Sequence, residues 1–355
     1  MRLTDRLALS ALYTFDAESA HEWALWALEK GHVGVRAQPD DPILATKLWG
    51  LSFSNPIGMA AGFDKDARVV DALLNLGFGF TEAGTVTPRP QPGNPKPRLF
   101  RLTEDLAVIN RLGFNSGGLD AFAERLKAHA GKPRAKGIVG ANVGKNKETE
   151  DGAADYVTGI EKVAGLADYL VCNISSPNTP GLRALQMKAP IEDLLRRVLA
   201  ARDKAASGGK KPPLLAKVGP DLTEGQIEDI AEVALSTKVD GLIIGNTTID
   251  RPETLKSRDK NEAGGLSGAP LLTKANWCLA AFYRATKGKL PLIGCGGVAS
   301  GEDAYAKIRS GASLVQVYSA MVFGGPGLPE RIKHELAACL RRDGFMRLSD
   351  AVGRG

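Results

Sequence analysis

The chain has 355 residues, 43% hydrophobic and 24% charged, a balance that supports a well-cored globular protein and excludes wholesale disorder. Lys plus Arg outnumber Asp plus Glu by 46 to 40, a net +6 that favours anionic ligands, yet the basic pairs Arg196-Arg197, Lys210-Lys211 and Arg341-Arg342 lack the interleaved aromatics of a nucleic-acid surface and read as solvated faces. No uninterrupted apolar run of about 18 residues occurs, which excludes an ordinary transmembrane helix, and the first residues lack the core and cleavage site of a secretory signal.

Residues 1–30 read as two short helices broken near Thr14–Asp16, with Ala20, Trp23, Ala24 and Ala27 as one stripe, Trp26 widening it and Gly31 as the C-cap. Residues 31–355 then alternate short apolar runs with helical patterns. The runs are Pro56–Phe63, Phe80–Val86, Gly137–Gly144, Tyr169–Ser176, Leu214–Gly219, Gly241–Thr248, Pro291–Val298 and Leu314–Met321. The helical stretch from Thr223 opens with a Thr cap and an acidic first turn. Eight strand–helix units predict an α/β fold of the (β/α)8 (TIM) barrel type with a short N-terminal two-helix extension. A doubly wound open sheet fits less well, because polar residues close nearly every strand rather than one glycine fingerprint following the first. The segment Thr87–Arg101 is proline-rich and reads as a stiff loop above the barrel mouth.

In a barrel, chemistry comes from the strand C-termini and the loops after them. Those positions hold amides (Asn110, Asn115, Asn142, Asn173, Asn178, Asn246), lysines (Lys65, Lys217) and hydroxyls (Thr85, Ser176, Thr247, Ser319), with no carboxylate pair and no histidine. Glycosidase and Ser-His-Asp hydrolase chemistries are thereby disfavoured. Amides suit a planar ligand with alternating donors and acceptors, while Gly268, Gly296, Gly297 and the Tyr318-Ser319 turn fit a phosphate site. The pattern predicts a phosphorylated planar cofactor beside a polar planar substrate. Cysteines 172, 278, 295 and 339 and histidines 21, 32, 129 and 334 show no ligand spacing, so no metal is expected. Taken singly, Ser175 and Ser176 could be turn residues, and Cys172, on the strand, reads as core packing.

The segments AAGFDK (60–65), INRLGFNS (109–116), GANVGKNK (140–147), CNISSPNTPGLR (172–183), GNTT (245–248), GGLSG (264–268) and CGGV (295–298) together resemble class 2 dihydroorotate dehydrogenases. The resemblance implies a flavoprotein of pyrimidine biosynthesis that oxidises dihydroorotate to orotate through FMN, with a membrane quinone as acceptor. It implies FMN contacts at Ala61, Gly62, Phe63, Asp64, Lys65, Thr85, Asn142, Asn173, Lys217, Gly245, Gly268, Gly297, Tyr318 and Ser319. Substrate contacts are implied at Lys65, Asn110, Arg111, Leu112, Gly113, Phe114, Asn173, Asn178, Asn246 and Thr247, with Ser176 as the base.

By the same resemblance His21 and Arg101 would flank quinone access. The N-terminal helices, through Leu3, Leu7, Leu9, Leu12, Tyr13, Trp23, Leu25, Trp26 and Leu28 with Arg2, Arg6 and Lys30, would rest on the cytoplasmic side of the cell membrane. Because every barrel motif lies downstream, removing residues 1–30 is expected to leave dihydroorotate oxidation by the flavin largely intact. A class 1-like enzyme using fumarate or NAD, and a non-catalytic phosphate-binding barrel at a membrane, are the competing readings.

Overall fold

The computed structural model describes residues 9–34, 37–131, 137–207, 209 and 211–355. Arg2, Leu3, Arg6, Leu7 and Lys210, invoked above, lie outside the described residues. A hairpin of β1 (Thr46–Leu48) and β2 (Leu51–Phe53) precedes β3 (Ile57–Met59) and β4 (Phe80–Val86). Next come β5 (Leu99–Leu102), β6 (Ala107–Asn110), β7 (Ile138–Val143), β8 (Tyr169–Asn173), β9 (Leu214–Val218) and β10 (Gly241–Ile244). β11 (Gly265–Gly268), β12 (Leu292–Cys295) and β13 (Leu314–Val317) complete the set. Eight of them, in the order β10-β12-β13-β3-β4-β7-β8-β9, close into a barrel whose neighbours all pair in parallel, with helices around it. Each falls inside one of the eight apolar runs read from the sequence.

Parallel strands covered on both faces need apolar side chains on both, which is why these segments look continuous rather than alternating. The alternation survives in where the side chains go. Phe80, Leu215, Ile243, Ile293 and Leu314 pack with Phe53 of the hairpin into one core inside the barrel. Two residues further along three of those strands stand Glu82, Lys217 and Gln316, all buried. The interior is thus apolar at its base and polar toward the strand C-termini. Gly58 and Gly140 leave room for rings from neighbouring strands: a Cβ on Gly58 would lie 2.2 Å from the Phe80 ring, and one on Gly140 2.2 Å from that of Tyr169.

The helix Ala17–Glu29 starts where Asp16 caps it, accepting from the Glu18 and Ser19 main-chain N–H groups at 3.1 and 3.0 Å. It ends in a Schellman turn, with Gly31 at φ +70° and His32 N donating to Ala27 O at 2.9 Å. The expected apolar stripe is corrected in one respect: Trp23 and Trp26 point outward, 49% and 42% exposed, while Ala20, Ala24 and Ala27 face inward onto a cavity. At Thr223 the cap is a full capping box with Gln226.

The proline-rich segment is also corrected, because it is not loop throughout. Its last residues form β5, which pairs with β6, and β6 pairs with β11, giving a three-stranded antiparallel sheet outside the barrel. After Pro97 every residue of Leu99–Leu102 carries an N–H, so a ladder can form there that the preceding prolines cannot support.

Gly58→Ala should destabilise the fold by about 1–3 kcal/mol through forced displacement of the Phe80 ring. Gly165→Ala, where an added Cβ meets nothing within 4 Å, should leave the thermal midpoint nearly unchanged in the same calorimetric comparison.

Candidate active site

A cavity of about 860 Å³ opens over the polar end of the barrel and continues between the sheet β5-β6-β11 and residues 9–34. Of the residues singled out from the sequence, His21, Ala61, Gly62, Phe63, Lys65, Thr85, Arg101, Asn110, Leu112, Gly113, Phe114, Asn173, Ser176, Asn178, Lys217, Asn246, Thr247, Gly268, Gly297, Tyr318 and Ser319 all line it. Most come from barrel strand ends; Arg101, Asn110 and Gly268 arrive on the added sheet.

The cavity floor is a continuous hydrogen-bond network. Glu82 accepts from Asn142 Nδ2 at 2.7 Å, Tyr169 OH at 3.1 Å and Gln316 Nε2 at 2.6 Å. Gln316 Oε1 accepts in turn from Lys217 Nζ at 3.2 Å, and the ammonium lies 4.0 Å from Glu82. Thr85 donates to Asn142 Oδ1 at 2.6 Å and accepts from Asn173 Nδ2 at 2.8 Å. Asn173 Oδ1 accepts from Ser175 Oγ at 2.8 Å, and Ser175 Oγ accepts from Asn246 Nδ2 at 2.7 Å. Each amide orientation is fixed by its neighbour, so the surface offered to a ligand is preorganised.

Ser175 is therefore committed to this network, whereas Ser176 is not. Ser176 Oγ accepts from Asn178 N at 3.2 Å, and its hydroxyl donates to no group among the described residues. Lys65 Nζ has no hydrogen-bond or ion-pair partner among them either; removal from water holds its pKa below the ordinary lysine value, with Glu22, Asp66 and Glu18 opposing. Thr247 Oγ1 is buried without a partner. Lys65 and Ser176 both line the cavity and carry hydrogens with no acceptor among the described residues. Cys172, by contrast, is wholly buried behind the floor, and burial pushes its thiol pKa well up.

Four expected contacts are placed elsewhere. Asp64 turns its carboxylate to the main-chain N–H groups of Arg68 and Val69 at 2.7 and 2.8 Å, and burial raises its pKa. Arg111 points away, paired with Glu262 at 2.7 Å and stacked on Phe100. Asn142 is not among the cavity-lining residues; its Oδ1 accepts from the Thr85 hydroxyl at 2.6 Å and its Nδ2 donates to Glu82 at 2.7 Å. Gly245, at φ +122°, is demanded by strand packing, since a Cβ there would lie 2.2 Å from Cys295 O. Sequence reasoning missed Glu82 and Gln316. A carboxylate inside the run FTEAGTV and an amide inside LVQV are the signals that could have revealed them.

At the cavity's far end His21 packs edge-on against Phe63, ring centroids 5.1 Å apart. Burial lowers its pKa from 6.5 to about 3, aided by the Lys65 charge and opposed by the Phe63 main chain. Arg101 lies over the Tyr13 ring at 4.7 Å, and Tyr13 OH donates to Val322 O at 3.0 Å, tying residues 9–16 to the barrel. Among the described residues no cluster of three or more His, Cys, Asp or Glu could hold a metal, and no helix is long and apolar enough to cross a membrane.

Below pH 6.5 the unfolded chain protonates His21 while the folded chain does not until about pH 3, so this group removes stability as the pH falls through that window. Urea midpoints should therefore decline less steeply from pH 6.5 toward 4 in His21→Gln than in the wild type; equal slopes would place the histidine in water.

The family described as dihydroorotate dehydrogenase matches residues 43–340. The dihydroorotate dehydrogenase (quinone) of Azorhizobium caulinodans is 59% identical over 342 residues, 96% of this chain and 95% of that protein. The mitochondrial dihydroorotate dehydrogenase (quinone) of Arabidopsis thaliana is 51% identical, over 95% of this chain and 78% of its own length. A crystal structure of DHODH in complex with ferulenol, from Eimeria tenella, superposes with a TM-score of 0.92 at 42% identity, covering 97% of this chain and 98% of that one.

Proposed function

The chain belongs to the dihydroorotate dehydrogenase family, in its quinone-dependent class 2, and from that premise we propose that it oxidises dihydroorotate to orotate in pyrimidine biosynthesis, with FMN as the resident cofactor and a membrane quinone as the electron acceptor. The observation that carries the reading is the meeting, in one cavity, of an uncommitted serine, an uncommitted lysine, a wall of amides and a glycine-lined end.

The residues fit FMN. Gly268 and Gly297 hold φ of +99° and +82° with no room for a Cβ, which would lie 2.4 Å from Leu106 O and 2.5 Å from Leu272 Cα respectively. Main-chain N–H groups there, with Ser319, suit a phosphate. Lys217, held beside Gln316 and Glu82, would offer a fixed positive charge to a flavin in the cavity. When bound, the flavin supplies a two-electron acceptor for hydride from C6 of the substrate.

The chain's own residues do the rest. Lys65 pairs with the substrate carboxylate, and Asn110, Asn173, Asn178, Asn246 and Thr247 hold the ring edges, fixing the orientation before reaction. Ser176 takes the C5 proton. A serine is a weak base, so as it takes the C5 proton its own hydroxyl hydrogen passes to a water molecule in the cavity, and the Asn178 N–H pointing at its Oγ stabilises the oxygen during that exchange. The buried, proton-retaining Cys172 supports serine rather than cysteine in that role.

Quinone reaches the flavin edge through the outer part of the cavity, past His21 and Arg101, between apolar side chains such as Leu9, Leu12 and Ala24. Residues 1–30 form the access extension, and residues 31–355 the catalytic barrel. Exposed Phe15, Trp23 and Trp26, with the Trp23 ring against each of the other two on the outer surface, support peripheral association with the cytoplasmic face of the cell membrane.

Ser176→Ala should keep its flavin yet slow dihydroorotate-driven flavin reduction about 10²–10⁴-fold in anaerobic stopped flow; wild-type speed would reduce Ser176 to a turn residue. Lys65→Ala should weaken orotate binding, measured by perturbation of the flavin spectrum, by about tenfold or more. A purified protein without flavin absorbance would overturn the whole reading.

A further inference from the structure

Glu18 sits on the first turn of the helix Ala17–Glu29, three residues before His21, yet its partner is not in the outer cavity. Its carboxylate meets the Arg98 guanidinium side-on: Arg98 Nε lies 3.1 Å from Glu18 Oε2, and NH2 lies 2.7 Å from Oε1. Both side chains are nearly closed off from solvent, at 8% and 16% exposed. Burial alone would raise the Glu18 pKa, but the Arg98 hydrogen bonds and charge, joined by the exposed Lys96 ammonium at 3.4 Å, outweigh it, so the carboxyl stays below its ordinary value.

Arg98 spends its remaining donors on the proline-rich segment. Its NH1 donates to Pro92 O at 2.6 Å and to Asn94 O at 2.7 Å, gathering residues 92–98 around the guanidinium. Asn94, so held, reaches the pyrimidine end of the cavity. Its N donates to Leu112 O at 3.0 Å, and its Nδ2 donates to Arg111 O at 2.9 Å and to Asn178 O at 3.3 Å. Asn178 closes the ring by donating to Asn110 O at 3.0 Å. Gly113 fits only because it has no side chain, since a Cβ would lie 2.7 Å from the Asn94 amide. Arg98 and Asn94 therefore connect the N-terminal helix to two of the stretches of chain assigned to the substrate, residues 110–114 and the loop at Asn178.

We propose that Glu18 is a positioning residue for the dihydroorotate site, acting through Arg98 and Asn94, so that the N-terminal helix is structurally part of the substrate site as well as of the quinone path. The inference rests on the assignment of the pyrimidine to this end of the cavity. It revises the expectation that residues 1–30 are dispensable for the first half-reaction. Their loss would leave the buried Arg98 charge without its carboxylate, a costly state that reorganising the segment would relieve at the substrate's expense. By linkage, anything that shifts this helix changes orotate affinity, and orotate resists the shift equally.

The test uses the full-length flavoprotein without quinone, titrated with orotate through the flavin spectrum and reduced by dihydroorotate in anaerobic stopped flow. Glu18→Gln should raise the orotate Kd about five-fold or more and raise the dihydroorotate concentration for half-maximal reduction in parallel. The saturating rate should stay within about twofold, because Glu18 touches no reacting atom. Glu18→Asp, which keeps the charge, should recover part of the affinity. Asn94→Ala should weaken orotate on its own, and the double variant should lose less than the product of the two effects. Glu29→Gln, on the same helix but paired with Arg68 at the surface, should bind orotate like the wild type. Wild-type orotate affinity in Glu18→Gln, or strict multiplicativity with Asn94→Ala, overturns the proposal. If Glu18→Gln does not fold, Glu18→Asp and Asn94→Ala decide it. A wild-type protein whose flavin spectrum ignores orotate would instead defeat the assignment of the pyrimidine.

Discussion

The molecule is organised around a carboxylate and an ammonium enclosed in the barrel. Glu82 is 0% exposed and Lys217 3%, and neither charge is tolerable there alone. Their compatibility depends on three neutral neighbours, Asn142, Tyr169 and Gln316, which fill the lone pairs of Glu82, and on Gln316, whose oxygen faces Lys217. Those five residues come from five different strands, β4, β7, β8, β9 and β13. Only a closed barrel in one register brings them together, and a slip of one residue would turn each outward into the apolar layer beneath the helices. Breaking one partner of such a cluster is severe, so the polar floor constrains the barrel as strongly as the barrel orders the floor.

From that floor the order of the site propagates upward. Asn142 fixes Thr85, Thr85 fixes Asn173, and Asn173 and Asn246 share Ser175. The network fixes the orientation of the amides and Ser175, and leaves the Lys65 ammonium and the Ser176 hydroxyl hydrogen without partners among the described residues. That division separates framework from chemistry more clearly than residue type does: Ser175 and Ser176 are adjacent and identical, yet one is a strut and the other faces the cavity. Above the floor, the sheet β5-β6-β11 and the helix Ala17–Glu29 form the remaining walls, and the Glu18–Arg98 pair joins the two.

Much was legible in the sequence because it is local. The eight barrel strands are short apolar runs set between helical patterns, and the cap at Thr223 and the glycine turn at Gly31 follow from residue chemistry a few positions apart. The added sheet was not legible. LFRL, AVIN and GLSG are too short to announce themselves, and β11 pairs with a strand more than 150 residues earlier in the chain. The outward turn of Trp23 and Trp26 escaped the helical stripe for a related reason: the cavity face of that helix is lined by small residues and His21, so hydrophobicity alone misassigns its orientation.

The sequence by itself determined the barrel, its strand positions and the kinds of group that collect at its polar end, since periodicity and turn chemistry act over a few residues. The tertiary structure decided which of those groups are free to act. Asp64 and Arg111 carry suitable side chains at suitable positions, and each is turned to a neighbour away from the cavity lining: a main-chain turn and the Glu262 carboxylate. Whether a polar group serves a ligand or the fold depends on which partner reaches it first in space, and that partner is set by strand register and by loops distant in the chain.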